Sequence, residues 1–199
     1  VGESPVGGCL SGIGSVVTID RSMIYSNETG YEGAGVRVYM TDLTILNSVI
    51  FNNTITAESY LGGSAIHGHM GDNNFVSIIN CTVTSNKVSG GTSENRTPAA
   101  IFLHRYGEVL IANSIVHDNS GDLSFMYHGP KLTAIDNIIE GGNGGIQPEE
   151  SDHNTELWEL RNNTHVNPEF ADPEGKDFSL RPTSPAIDKG SEEYLISDY

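Results

Sequence analysis

One eight-residue pattern recurs five times along this chain: a polar start, a short aliphatic run, and a closing asparagine or glycine. The copies run from Asp20 to Asn27, Leu46 to Asn53, Ile79 to Asn86, Ala112 to Asn119 and Ile135 to Gly142. The closing positions, 27, 53, 86, 119 and 142, give periods of 26, 33, 33 and 23 residues. Self-similarity on that scale marks a repeat architecture, in which each unit buries its apolar face only against its neighbours.

The unit itself is made of strands. Val36, Val38 and Met40 alternate with Arg37, Tyr39 and Thr41, and after a turn Leu43, Ile45, Val49 and Phe51 continue the alternation. A period of two, built from β-branched and aromatic residues, predicts half-buried strands. Clusters of Gly, Asn, Asp and Ser between the runs supply turns. No Asn-Gly hairpin signal joins neighbouring runs, so the strands of one unit pair in parallel with the units above and below. The expected fold is all-β: a single-stranded parallel β-helix of about six or seven coils. Stacked at one turn, Asn27, Asn53, Asn86 and Asn119 are expected to form a side-chain amide ladder, donating to one coil and accepting from the other. Gly142 is expected to replace asparagine there because both tolerate the left-handed conformation.

These units resemble the right-handed parallel β-helix repeats of the pectate-lyase-like superfamily of secreted proteins, over roughly residues 8–165. Asn167-Pro168-Glu169-Phe170-Ala171-Asp172-Pro173, followed by Asp177 to Gly190, resembles a choice-of-anchor-Q ending. The resemblance implies coils over 1–166 and a capping, anchor-Q-like segment over 167–199, cut short at Asp198-Tyr199. It also implies an extracellular or cell-surface location, and substrate lying along one outward face.

The formal net charge of −16 excludes nucleic acid and anionic membrane as natural partners, since both need clustered Lys and Arg. No apolar run is long enough for a membrane span. The two cysteines, Cys9 and Cys81, fall in different strands of distant units and are read as small core residues without a disulfide. Asn27, Asn52, Asn80, Asn95 and Asn162 begin Asn-x-Ser/Thr sequons. Asn95, Asn52 and Asn162 are the candidate glycosylation positions, and Asn27 is expected to be sequestered in the ladder.

Aligning the first strand of each unit puts Arg37, His67, Phe102 and Phe125 in one outward column. Tyr39, His69, His104 and Tyr127 form the next, with Arg105 and His128 just beyond. Coils about 4.8 Å apart would turn these columns into a stripe of aromatic, imidazole and guanidinium groups suited to a sugar chain. Tyr39, Phe102 and Tyr127 are expected to stack on sugars, and Arg37 and Arg105 to hold carboxylates. Were the face a lyase site, Arg105, His69 or His104 would be the base beside a uronate carboxylate. Asp42, Asp72 and Glu108 recur one per coil and read as turn residues rather than a calcium set. His67, His69 and His104 form a weak zinc or copper candidate. Asp172, Glu174, Asp177 and Asp188 form a weak calcium one. His117, His153 and His165 lie outside the stripe. The polar insertions Thr56 to Gly63 and Ser89 to Pro98 precede stripe strands and are expected to wall one flank.

Two functions follow as expectations. The first is a secreted or cell-surface rod with a structural or glycan-contacting role, open to assembly end to end. The second is a polysaccharide lyase or related enzyme working on the stripe. The tail from Asn167 is expected to fold over the C-terminal end of the rod and blunt it, leaving the first coil to pair with further coils or another subunit.

Overall fold

The computed structural model describes residues 8–56, 62–89, 99–120, 123–148 and 155–194. Within them the chain winds through six coils, each passing two or three long parallel sheets. Sheet A takes Leu10–Ile13, Val36–Tyr39, Ile66–His69, Ala99–His104, Leu123–Tyr127 and Ile146–Pro148, in that spatial order. Sheet B takes Val16–Asp20, Asp42–Leu46, Phe75–Ile79, Glu108–Ala112, Lys131–Ile135 and Leu157–Arg161. Sheet C takes Met23–Tyr25, Val49–Phe51, Thr82–Thr84, Ile115–His117 and Ile138–Ile139. A short fourth ladder, Glu28–Thr29, Thr54–Ile55 and Lys87–Val88, completes the first three coils. Every pairing in these sheets is parallel and in register from coil to coil. The all-β, parallel solenoid expected from the repeat is the observed architecture.

The core is a column of like residues stacked on like. Val36, Ile66, Ile101, Phe125 and Ile146 form one inward row of sheet A. Leu43, Val76, Val109 and Leu132 form an inward row of sheet B, and Ile50, Val83, Val116 and Ile139 one of sheet C. Each fully buried aliphatic contributes roughly 1.5–3 kcal/mol. Since every coil covers its neighbour, the gain accrues along the axis rather than around one centre.

Polar ladders hold the two corners of sheet C. At the corner after it, Asn27 Nδ2 donates to Asn53 Oδ1 (2.8 Å), Asn53 to Asn86 (2.9 Å) and Asn86 to Asn119 (2.9 Å). The same amides also donate to main-chain carbonyls, Asn53 to Ile24 and Asn86 to Ile50, at 3.1 and 3.0 Å. The left-handed residue at this corner is the one before each ladder asparagine, contrary to the sequence expectation. Ser26, Asn52, Ser85 and Asp118 have φ of 56°, 54°, 58° and 56°. The ladder residue must aim its side chain along the axis, and the preceding residue takes the sharp bend. At the corner before sheet C a second ladder runs through Ser22, Ser48, Cys81, Ser114, Asn137 and Asn163, again with a left-handed residue before each. Cys81 is buried there and its thiol is pushed up to about 11, chiefly by burial. Cys9 is exposed, and both thiols are free.

The tail departs from its expected course. Phe170–Asp172 and Asp177–Leu180 form an antiparallel hairpin. Phe178 packs on Phe51 (4.8 Å between ring centroids), and Lys176 Nζ lies 4.5 Å over the Tyr25 ring. Further on, Ser191 and Asn113 exchange two hydrogen bonds of 2.8 and 2.9 Å, and Arg161 meets Glu193. The segment therefore runs back along the outer face of sheet C instead of folding over the end of the rod. The stacked rings of Tyr25 and Phe51 give it an apolar seat on that face. The expectations for residues 1–7, and for Asp198 and Tyr199, lie outside the described residues.

Candidate functional site

The outward face of sheet A carries the chemistry, with a register that corrects the expected columns. Residues opposite one another are Arg37, His67, Phe102 and Met126 in one row. The next holds Ile13, Tyr39, His69 and His104, which His128 extends through its ring contact with His104. Phe125 and Tyr127 pair with Ile101 and Leu103, so both point into the core and are fully buried. Tyr127 is thus no glycan contact. Its Oη donates to the Gly107 carbonyl (2.9 Å), and burial raises the phenol. The misassignment has a physical cause: Ile101-Phe102-Leu103 and Phe125-Met126-Tyr127 are apolar on both faces, so alternation leaves their parity open.

The surviving column is a continuous row of rings. Tyr39 and His69 stack at 4.8 Å with planes 25° apart. His69 and His104 follow at 5.3 Å, and His104 and His128 at 5.7 Å. These steps track the spacing of coils. Only the first step is a face-to-face stack; the His69 and His104 planes are 59° apart and those of His104 and His128 74°, so the column presents imidazole nitrogens as well as ring faces and suits hydrogen bonding. Burial depresses the His69 imidazole, and the cations Arg105 and Arg37 and the His104 ring push the same way. Arg105 Nε donates to His104 Nε2 at 3.3 Å.

One row over, the side chains are enclosed. Phe102 is fully buried and His67 is 3% exposed, so neither is an open contact as expected from sequence. His67 Nε2 lies 3.2 Å from Glu32 Oε2. Burial first, then Arg37 and the neighbouring imidazoles, push His67 down to about 3. Burial pulls the Glu32 carboxyl upward against the pull of Arg37 and His104. A neutral His67 donating to Glu32 fits both. Arg37 itself lies over the Tyr31 ring, 5.7 Å from its centroid.

Toward the later coils the ring column opens into a groove of about 600 Å3 at the corner between sheets A and B. It is lined by His104, Arg105, Tyr106 and His128, and by Pro130, Glu156 and Leu157. Tyr106 and Leu157 are exposed, at 57% and 65%, and supply the apolar walls. Sequence reasoning passed over Tyr106, Glu156 and Leu157. Tyr106 sits in a turn immediately after the stripe strand, where an aromatic residue before Gly107 is a legible signal, whereas Glu156 lies beyond the last copy of the repeat.

The remaining candidates are not gathered into a site. Asp42 Oδ1 accepts from Asn74 Nδ2 and the Phe75 amide, and Glu108 pairs with Lys131 at 2.8 Å. Asp172 accepts from the Gly175 amide; Asp177 accepts from the Ser179 amide and hydroxyl, which lower its carboxyl. Among the described residues no group of three or more His, Cys, Asp or Glu is placed to hold a metal ion. That covers the His67, His69, His104 set and Asp172, Glu174, Asp177 and Asp188. Asn52 is exposed, while Asn162 Nδ2 donates to Asp136 Oδ1 (2.8 Å). Asn95, His153 and the tips of the two insertions lie outside the described residues.

Parallel coils in register, cornered by amide ladders and bearing one chemically distinct outward face, define a parallel β-helix repeat protein. A family model described as a right-handed β-helix region matches residues 14–164, and the chain belongs to that family. No curated protein and no solved structure matches it. No helix among the described residues is long and apolar enough to cross a membrane.

Proposed function

We propose that the protein is a secreted or cell-surface β-helix that binds a glycan chain along the outward face of sheet A. The observation that carries this reading is the unbroken row Tyr39, His69, His104 and His128 running along the axis into the groove. Ring edges and Arg105 offer donors and acceptors for hydroxyls and carboxylates. Tyr106, Pro130 and Leu157 offer apolar surface for the flat face of a sugar ring. A polymer laid along the axis would meet one such group per coil.

Binding without chemistry is favoured over the lyase reading. The planar guanidinium of Arg105 is suited to holding an anion rather than to taking a proton. The lone pair of His104 Nε2 is taken by Arg105, and His67 is enclosed and a weak base. What speaks for a lyase is that Arg105 and Glu156 line the same groove, bringing a cation and a carboxylate together.

Tyr106→Ala and Arg105→Ala should each weaken binding to a responsive polysaccharide at least tenfold on a glycan array and by calorimetry, with unchanged melting temperature. A panel of neutral and acidic polysaccharides that all fail to bind the intact protein would remove the glycan reading. Release of unsaturated, ultraviolet-absorbing product from a uronate polymer would establish the lyase instead.

A further inference from the structure

A second imidazole pair sits on the opposite flank of the rod, away from the ring column. His117 is the last residue of its sheet C strand in the fourth coil, and it is only 7% exposed. Its Nδ1 lies 3.1 Å from Asp118 Oδ1. Among the described residues neither of its ring nitrogens has a hydrogen-bond partner of good geometry. Buried polar atoms left unpaired are uncommon, and an ion or ordered water is a usual reason for one. The ring of His165 lies 5.9 Å away between centroids, with planes 53° apart. His165 belongs to the stretch just after Thr164, which bridges to Ile138 as the sixth coil ends and the tail begins.

We infer that His117 and His165 are the two protein ligands of a first-row divalent transition ion such as Zn2+, with solvent completing the coordination. A Zn–N bond of about 2.0–2.1 Å on each ring puts two imidazole centroids about 5.2 Å apart at the tetrahedral angle and up to about 6.4 Å apart as that angle opens. The observed spacing falls inside that window. Asp118 Oδ1 stands 3.1 Å from Nδ1 without the alignment of a hydrogen bond; with the ring turned to meet it, Asp118 would be the outer carboxylate of a carboxylate–histidine–metal arrangement and Nε2 the ligand atom. The ion joins coil four to the point where the chain leaves coil six for the outer face of sheet C. Its role is a staple: it holds the root of the tail against the rod, because the metal binds the folded arrangement of both rings and not the unfolded chain.

The test is Zn2+ titration of the full chain by calorimetry, with melting temperature as a second readout. The expected result is one tight equivalent and a raised melting temperature, both lost with at least a tenfold weaker affinity in His165→Asn. His165 is exposed, so this variant keeps the fold; His117→Asn should lose the same equivalent, and Asp118→Asn should weaken it by about 10–100-fold. The triple variant His69→Asn, His104→Asn, His128→Asn keeps that equivalent if the inference holds. Unchanged Zn2+ affinity in His165→Asn, loss of the equivalent in the triple variant alone, or no binding to the intact chain would each overturn it. None of these outcomes bears on glycan binding, which is read on the opposite flank.

Discussion

At the scale of single residues, adjacent side chains carry opposite burdens. Asn53 is buried and spends its amide on Asn86 and the Ile24 carbonyl, whereas Asn52 beside it faces water in the left-handed bend. Asn53→Asp removes the donors and buries a charge, so it should cost about 1–3 kcal/mol or more. Asn52→Asp should stay within about 0.5 kcal/mol. Equal losses in urea denaturation would show that the ladder contributes nothing. His67 makes a separate statement about pH. Its folded-state value of about 3 lies below the ordinary 6.5, so the native state binds fewer protons than the unfolded one. Its contribution is complete above pH 6.5 and is lost as pH falls from there toward 3. Between pH 6.5 and 4.5 that loss is about 2–3 kcal/mol, partly offset by Glu32, whose raised carboxyl works the other way. His67→Gln should flatten the fall of stability over that window; an unaltered slope would mean that the imidazole is not enclosed.

At the scale of strands and turns, the groove is shaped by what the core demands. Tyr127 points inward, and its hydroxyl occupies the space above Gly129: a Cβ on that glycine would lie 2.1 Å from Tyr127 Oη. The ring is also stacked on Trp158, whose Nε1 donates to the Gly129 carbonyl at 3.0 Å. Gly129→Ala must therefore push the Tyr127 ring off Gly107, an overpacking cost of about 1–3 kcal/mol. Since Gly129 also lines the groove, glycan affinity should fall with it. Tyr127→Phe combined with Gly129→Ala should destabilise less than the sum of the two, because both act on one contact. Full additivity in the cycle would separate them.

For the whole molecule, the tail is a lateral brace. Phe178 bridges Phe51 on the second coil and Phe170 in its own hairpin, and Ser191 ties the segment to Asn113 on the fourth. Phe178→Ala, at a half-buried position, should cost about 1–3 kcal/mol. The loss should be local, with protease cleavage after residue 166 accelerating while the far-ultraviolet signal of the coils melts as before. Coil melting that drops in step with the tail would mean that brace and rod unfold as one unit.

The recurrent apolar alternation and the asparagine at each unit end were enough to specify parallel coils and the ladder through Asn27, Asn53, Asn86 and Asn119. Both follow from local periodicity and from the need to satisfy turn backbone. Parity on sheet A was not legible, because Phe102, Phe125, Met126 and Tyr127 are apolar whichever way they face. Only the pairing of coils decided that Tyr127 fills the core while His128 joins the ring column. The groove and the pairing of His117 with His165 were hidden for a related reason. Each joins residues from coils that the sequence separates by dozens of positions, and a repeat pattern states which residues stack but not which corners meet. The course of the tail was set by an aromatic seat on Tyr25 and Phe51, far upstream, which no local signal in Asn167 to Gly190 could disclose.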